Sequence, residues 1–253
     1  MMPRALTVLC LLPLLAFGHW ALDFDEDFAA AGKQPKTLTF QYVSTYPATI
    51  TIGGSGYGQP ADPSKALVDA GDGVFVPWTS NTITVKGKRI RFRGDWRNAS
   101  GNFRELFYGT FAGGNDVTIS GGFDFSGAPA VNMFRATFIN CGNLTGSIPS
   151  GLFGNISGAP AANMFYGTFW GCSNLTGSIP VGLFGNISGA PAANMFNATF
   201  YGCSKLTGES ALMPDGTTHL YEQFPTASGT ECDNCYLNAT GLNDYATIPA
   251  AWK

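Results

Sequence analysis

The residues of this chain best able to do chemistry are its cysteines. Cys141, Cys172 and Cys203 stand 31 residues apart, and Cys232 and Cys235 form a Cys-x-x-Cys pair near the C-terminus. The spaced cysteines are interpreted as small buried thiols, with disulfides between neighbouring copies as the alternative. The Cys-x-x-Cys pair would be half a zinc site, but no second such motif exists. In an exported chain, a Cys232–Cys235 disulfide is therefore favoured.

A catalytic centre is not expected, because the chain lacks positioned proton carriers. Residues 136–204 contain no Asp, Glu, Lys, Arg or His, whereas general acid–base catalysis needs such a group. His219 is the only histidine after His19, and no serine lies in a nucleophile-elbow motif. The segment Gly53–Gly58 lacks the Lys-Ser/Thr of a phosphate loop and is interpreted as a hairpin turn. We expect no catalytic residue, no metal and no cofactor.

The basic residues gather in one short segment, which raises the question of nucleic-acid binding. Arg89, Arg91 and Arg93 alternate with Ile90 and Phe92, as on a strand with one solvated face. The chain as a whole carries a formal net charge of −3. We therefore predict a solvated strand face and no nucleic-acid partner. The cluster consists of Lys86, Lys88, Arg89, Arg91, Arg93 and Arg97.

An internal repeat organises the middle of the chain. Residues 143–169 and 174–200 agree at 24 of 27 positions, and an older, shorter copy begins at Leu106. Such repeats stack, because each unit buries its apolar side against its neighbours. Phe134, Phe165 and Phe196 are predicted to stack in a buried column. A second column, of Phe138, Phe169 and Phe200, is expected beside it.

Two local patterns within one unit predict its secondary structure. The segment 160–172 opens with Pro160, and Met164, Phe165 and Phe169 then fall on one face of a predicted helix. The alternation around Leu175 indicates a short strand. The predicted fold is therefore an α/β solenoid of the leucine-rich-repeat kind, with one short strand and one short helix per 31-residue unit, preceded by a small all-β domain.

The amino-acid sequence of the repeat resembles that of a known family. "LTGSIPxGLF" is similar to the Leu-x-Gly-x-Ile-Pro phrase of leucine-rich repeats, and "NMFxxTFxGCSNLTG" resembles the repeats of BspA-type bacterial surface proteins. The likeness covers roughly residues 100–210, with Phe, Met and Ile at positions where leucine is usual. It implies secreted or surface-displayed modules that bind proteins or host surfaces without catalysis.

The remaining segments complete the predicted organisation. Residues 1–21 have the short basic start, apolar run and small-residue cleavage site of a signal peptide, and 22–36 form an acidic, flexible lead-in. Residues 37–98 contain five alternating segments and are predicted to form a β-sandwich or barrel. The solenoid then covers 99–210, and a cap with the Cys-x-x-Cys pair covers 211–253. No transmembrane span is expected in the mature chain, which is predicted to be secreted or surface-bound.

The candidate binding residues are those that differ between otherwise matching copies, because packing does not dictate them. One such position holds Arg135, Tyr166 and Asn197; the other, four residues on, holds Ile139, Trp170 and Tyr201. The ligand-binding residues predicted from these positions, on one face of the predicted helix, are Tyr166, Trp170, Asn197 and Tyr201. Alternatively, these side chains only cover the helix. The strand side offers a second surface, composed of Thr145, Ser147, Thr176 and Ser178.

Two functions are compatible with these features. The resemblance favours an interaction protein whose partner is a protein on a host or neighbouring cell surface. The uncharged surface with aromatic and Asn side chains is also suited to a carbohydrate-binding module, whose partner would be a glycan.

Overall fold

Short strands carry most of the regular structure in this computed structural model, which describes residues 36–53 and 56–253. The predicted signal peptide and residues 22–35 of the lead-in lie outside the described residues. Within these residues the one α-helix, α1, spans Leu220–Gln223, and 3-10 turns span Pro63–Lys65, Gly229–Glu231 and Ala250–Trp252. In chain order, strands β1 to β13 are Thr37–Tyr42, Thr49–Thr51, Ala66–Asp69, Val76–Pro77, Thr82–Thr84, Arg89–Gly94, Val117–Gly121, Ser126–Gly127, Leu144–Thr145, Asn155–Gly158, Gly177–Ser178, Asn186–Ile187 and Leu206–Thr207.

A six-stranded sheet joins the front of the chain to the repeats. Its order is β4-β3-β6-β1-β7-β9, antiparallel except for the parallel pair β7–β9. In β1 the alternate residues Leu38, Phe40 and Tyr42 are buried, as the period of a strand requires. β1 pairs with β7, so residues before and after position 98 share one sheet. All described residues belong to one compact unit.

The described helix and 3-10 turns are all short. Within residues 36–53 and 56–253, no helix has the length and apolarity needed to cross a bilayer.

The repeats stack through two columns of parallel strands. One column consists of β8, β10 and β12. The other runs from β7 to β9, then by a parallel bridge between Gly146 and Leu175 to the pair β11–β13. Leu144, Leu175 and Leu206 are buried at equivalent positions in this second column. Neighbouring copies therefore bind each other through backbone hydrogen bonds as well as side-chain packing.

The third side of each repeat is a ladder of overlapping turns. The N–H of Phe165 donates to the carbonyl oxygen of Met195 in the next copy at 2.9 Å, while the N–H of Thr168 donates back to the oxygen of Phe165 at 3.2 Å. The same two kinds of bond alternate along the segment in each copy. Some backbone N–H groups of the segment therefore bond within a turn of their own copy, and others bond to the next copy. Together these bonds satisfy the backbone without a helix.

The prediction of an α/β solenoid with one short helix per unit is wrong, because the described residues of the repeats contain strands and turns but no helix. The backbone adopts positive φ at every fourth residue of the segment, which an α-helix does not allow. In the central copy these positions are Asn163 (φ 56°), Gly167 (58°) and Gly171 (76°). Phe165 and Phe169 share a face because the turn pattern also repeats every four residues, so their spacing resembled that of a helix.

The predicted phenylalanine columns are confirmed. Phe134, Phe165 and Phe196 are fully buried, and their successive ring centroids lie 5.6 Å apart at interplanar angles of 11° and 5°. The column of Phe138, Phe169 and Phe200 has spacings of 5.5 and 5.6 Å, and its rings are also nearly parallel. The shorter copy and the C-terminal segment extend this second column at its two ends with Phe107 and Tyr236.

Candidate functional site

Turn geometry places Tyr166 and Trp170 on the same side of the repeat ladder. Each precedes a glycine with positive φ, Gly167 or Gly171, and so occupies the second position of a four-residue turn. A positive φ at the third position is what a type II turn requires, and it favours glycine or asparagine there. The two side chains therefore emerge in equivalent positions. We call the surface they share with Arg135, Ile139, Asn197 and Tyr201 the turn face.

The structure brings Trp170 and Tyr201 together on the turn face. Both side chains are half-buried, and their ring centroids lie 5.2 Å apart at an interplanar angle of 52°. A Cβ atom at Gly167 would lie 3.6 Å from the Trp170 ring and 3.9 Å from Ile139, so both side chains lie close to the Gly167 backbone. We call this pair of partly exposed rings the ledge.

Tyr166 and Asn197 occupy the neighbouring column. They are uncharged, whereas Arg135 in the same column carries a positive charge. The Arg135 guanidinium lies 5.3 Å from the centroid of the Tyr166 ring and 3.5 Å from a Glu105 carboxylate oxygen. One copy further on, the Asn197 amide donates to the carbonyl oxygen of Thr230 at 3.5 Å. The four predicted site residues thus share one face, but they form two neighbouring columns of two residues each rather than one enclosed pocket.

Sequence reasoning missed two residues that extend the turn face. The backbone register aligns Tyr108 with Ile139, because the N–H of Gly109 donates to the carbonyl oxygen of Ile139 as Gly167 donates to that of Asn197. Tyr108 is 45% exposed and therefore adds an accessible ring at the front of the column. Arg104 lies in the column of Arg135, with its guanidinium 3.6 Å from the Tyr57 ring centroid. An alignment of the older copy from Leu106 sets Phe107 against Phe134, whereas the structure stacks Phe107 on Phe138. That alignment therefore places Tyr108 and Arg104 four positions away from their columns.

The alternative strand surface is polar and more open. Ser147, Thr176 and Ser178 are exposed, and Thr145 is half-buried with its hydroxyl 3.4 Å from the carbonyl oxygen of Val117. These hydroxyls offer hydrogen bonds but little apolar area. A ligand on this side would therefore bind mainly through polar contacts.

The spaced cysteines are buried thiols in the structure, as the favoured interpretation had it. Cys141, Cys172 and Cys203 are free and fully buried, and each donates to a backbone carbonyl oxygen of the preceding copy at 3.0–3.1 Å. Burial raises the pKa of the Cys141 and Cys203 thiols to about 12 and that of Cys172 well above its usual value. Because a thiolate is the reactive form, these groups are suited to packing rather than to chemistry.

The Cys232–Cys235 disulfide is not formed in the structure, where both residues are buried free thiols. They are the first and last residues of one turn, closed by a bond of 3.0 Å from the Cys235 N–H to the Cys232 carbonyl oxygen. The Cys232 thiol donates to the carbonyl oxygen of Ala251 at 3.3 Å. Both residues thus help to pack the cap against the last repeat.

A polar cluster in the cap contains His219, which sequence reasoning set aside. The Ser210 hydroxyl lies 2.9 Å from His219 Nδ1 and donates to Asp244 Oδ2 at 2.6 Å. In a catalytic triad the histidine lies between serine and aspartate, whereas here the serine lies between the other two. Ser210 is also only 1% exposed. This arrangement holds the cap together and gives the hydroxyl no access to a substrate.

Glu209 joins this cluster as a group that could hold a metal ion. One ligand atom from each of Glu209, His219 and Asp244 lies within 4.8 Å of the other two. Sequence spacing gave no sign of it, because the three residues come from segments that meet only when the cap folds.

Comparison of the chain with protein-family models, with curated proteins and with solved structures finds no match.

Proposed function

We propose that this chain is an exported, non-catalytic interaction protein that binds a protein on a host or neighbouring cell surface through its turn face. The observation that carries this proposal is the ledge of Trp170 and Tyr201, two half-buried aromatic rings 5.2 Å apart in a segment without charged residues. Rigid aromatic side chains that bury large areas dominate the energetics of many protein interfaces. The sequence resemblance to BspA-type surface repeats supports the same function.

Backbone rigidity strengthens this proposal. The carbonyl oxygens of the turn-face residues accept hydrogen bonds from the preceding copy, for example that of Tyr201 from the Gly171 N–H at 2.9 Å. A preformed surface loses little conformational entropy when a partner binds. Arg135, at the edge of the same surface, adds a positive group that a carboxylate of the partner would pair with.

Carbohydrate binding is the second candidate, favoured by the partial exposure of the same two rings in a segment without charged residues. Aromatic faces stack on the apolar faces of sugars, and the Asn197 amide lies in the adjoining column of that same copy. A glycan would need no charge from the protein.

The experiment that separates the two candidates compares ligand classes directly. The full chain is labelled and applied in parallel to a glycan array and to surface proteins extracted from candidate host cells. The double variant Tyr166→Ala/Trp170→Ala serves as the control in both arms. A protein ligand retained by the wild type and lost by the variant supports the first function. Glycan signals with the same dependence support the second, and ligands retained equally by both proteins exclude the turn face.

A further inference from the structure

A metal-binding arrangement lies where the last repeat meets the C-terminal cap. Glu209 follows β13, His219 immediately precedes α1, and Asp244 belongs to the turns near the C-terminus. One ligand atom from each lies within 4.8 Å of the other two. The separation between His219 Nδ1 and Asp244 Oδ2 is 3.6 Å. Two atoms that each lie 2.0–2.2 Å from a tetrahedral zinc ion are about 3.3–3.6 Å apart, so this pair already has the spacing of two ligands.

The histidine and the aspartate are held in place by their neighbours. The Asp244 side chain is only 9% exposed and accepts hydrogen bonds from the Ser210 N–H at 2.9 Å and the Ser210 hydroxyl at 2.6 Å. The His219 ring stacks on Tyr221, with centroids 4.9 Å apart and an interplanar angle of 8°. Groups that orient metal ligands in this way are typical of metal sites. Glu209 is exposed and therefore free to turn its carboxylate toward the other two.

The charges in this cluster also favour a cation. Among the described residues, neither Asp244 nor Glu209 forms an ion pair with a lysine or an arginine. Glu222 lies beside them, with its carboxylate accepting from the His219 N–H at 2.8 Å. Carboxylates gathered around one imidazole repel each other unless a positive ion lies between them.

We propose that Glu209, His219 and Asp244 bind one zinc ion, with a water molecule as the fourth ligand. One imidazole and two carboxylates suit zinc, whereas calcium and magnesium prefer oxygen ligands alone. When the metal binds Nδ1, the imidazole proton moves to Nε2 and the ring gives up its bond to Ser210. The Ser210 hydroxyl keeps its bond to Asp244 and continues to orient the second ligand. The ion ties the last repeat to the cap.

The test is a zinc titration of the full chain, monitored by calorimetry. A chelator first removes any metal that is already bound. The wild type is compared with Glu209→Gln, which removes one ligand charge from an exposed side chain and so leaves the fold intact. Asp233→Asn is the matched control, because Asp233 is an exposed carboxylate of the same cap outside the cluster. All three proteins retain every cysteine, so zinc bound by thiols contributes equally to each.

We expect one zinc ion per chain, an affinity reduced at least tenfold in Glu209→Gln, and no change in Asp233→Asn. Imidazole 15N spectra provide a second measurement: zinc should move the His219 signals to those of the Nε2–H form. The signals of the other histidine, His19, are identified by comparison with His219→Gln. Equal zinc affinity in the wild type and Glu209→Gln, an absence of zinc binding, or unmoved His219 signals would each overturn the proposal.

Discussion

The rings of Phe165 and Phe196 lie nearly parallel, with centroids 5.6 Å apart and an interplanar angle of 5°, although 31 residues separate them. Each ring is fully buried and covers the next. Offset-stacked rings attract one another beyond the effect of their buried area. The 31-residue repeat therefore produces a regular stack of identical side chains in the core.

Replacing Phe165 with alanine should reduce the free energy of unfolding by about 3–5 kcal/mol, because a buried ring is lost and the surrounding core relaxes only partly into the cavity. Phe165 contacts rings on both sides, Phe134 and Phe196. Urea unfolding followed by circular dichroism measures the change. Val181→Ala, at a side chain that is 53% exposed in the next copy, is the control and should unfold like the wild type. A Phe165→Ala protein as stable as the wild type would contradict the stacked core.

Gly167→Ala should destabilise the chain by about 1–2 kcal/mol, the cost of an L-residue with left-handed backbone geometry. The space for a Cβ atom is adequate, since its nearest neighbour would be the Trp170 ring at 3.6 Å. The expected loss of stability therefore comes from the positive φ at position 167 alone. Gly113→Ala is the control, because a Cβ there meets nothing within 4 Å and no positive φ is required. Thermal unfolding of the two variants should differ, and equal stabilities would argue against strain at this position.

The location of the binding surface can be tested with two matched double variants, once a ligand is identified. Tyr166→Ala/Trp170→Ala removes two rings from the turn face and should reduce affinity at least tenfold, as for interface anchors that each contribute 1–2 kcal/mol or more. Thr176→Ala/Ser178→Ala changes the strand surface and should leave affinity unaltered. Surface plasmon resonance measures both, and circular dichroism verifies the folds. Loss of binding in the Thr/Ser variant alone would move the site to the strand surface.

Alkaline pH should destabilise the chain through its buried thiols. Burial raises the pKa of Cys141 and Cys203 from an ordinary value of 9.0 to about 12. Between these values the unfolded chain has lost protons that the folded chain retains, so stability is complete below about pH 9 and declines as pH rises toward 12. Urea midpoints measured from pH 7 to pH 10.5 should be flat at first and then fall.

The control for this prediction is a variant with fewer buried thiols. Cys141→Ala/Cys203→Ala should be less stable at neutral pH because it loses packing, yet its stability should fall less steeply above pH 9. Comparison of the two slopes separates the thiols from lysine and tyrosine residues, which titrate in both proteins. Parallel slopes would show that the thiols do not carry the effect.

The sequence predicts the stacking register well, because equivalent residues in a repeat have equivalent surroundings. It places Phe134, Phe165 and Phe196 in one column and the cysteines in a buried column of their own. The five alternating segments before residue 98 correspond to β1, β2, β4, β5 and β6. β3 (Ala66–Asp69) was not predicted, because all four of its residues are buried and it lacks the usual alternation.

The helix was mispredicted for a physical reason that the sequence does contain. A period of four residues is close to the helical period of 3.6, so apolar residues four apart suit both a helix and a ladder of turns. The distinguishing signal is the spacing of small or flexible residues, at Asn163, Gly167 and Gly171, where positive φ is required. The cap cluster was unpredictable for another reason: Glu209, His219 and Asp244 meet only through tertiary contacts.

The hydrogen bonds that pass from each copy to the next have an evolutionary consequence. The interior copies present nearly the same edge to the neighbour before them and to the neighbour after them, since residues 143–169 and 174–200 differ at only three of 27 positions. A gene duplication or deletion of one whole unit would therefore leave the cap and the six-stranded sheet with the partners they already have. Copy number is a variable that selection can change in single steps. Each added unit would lengthen the stack and supply a fresh pair of positions at which substitutions are tolerated.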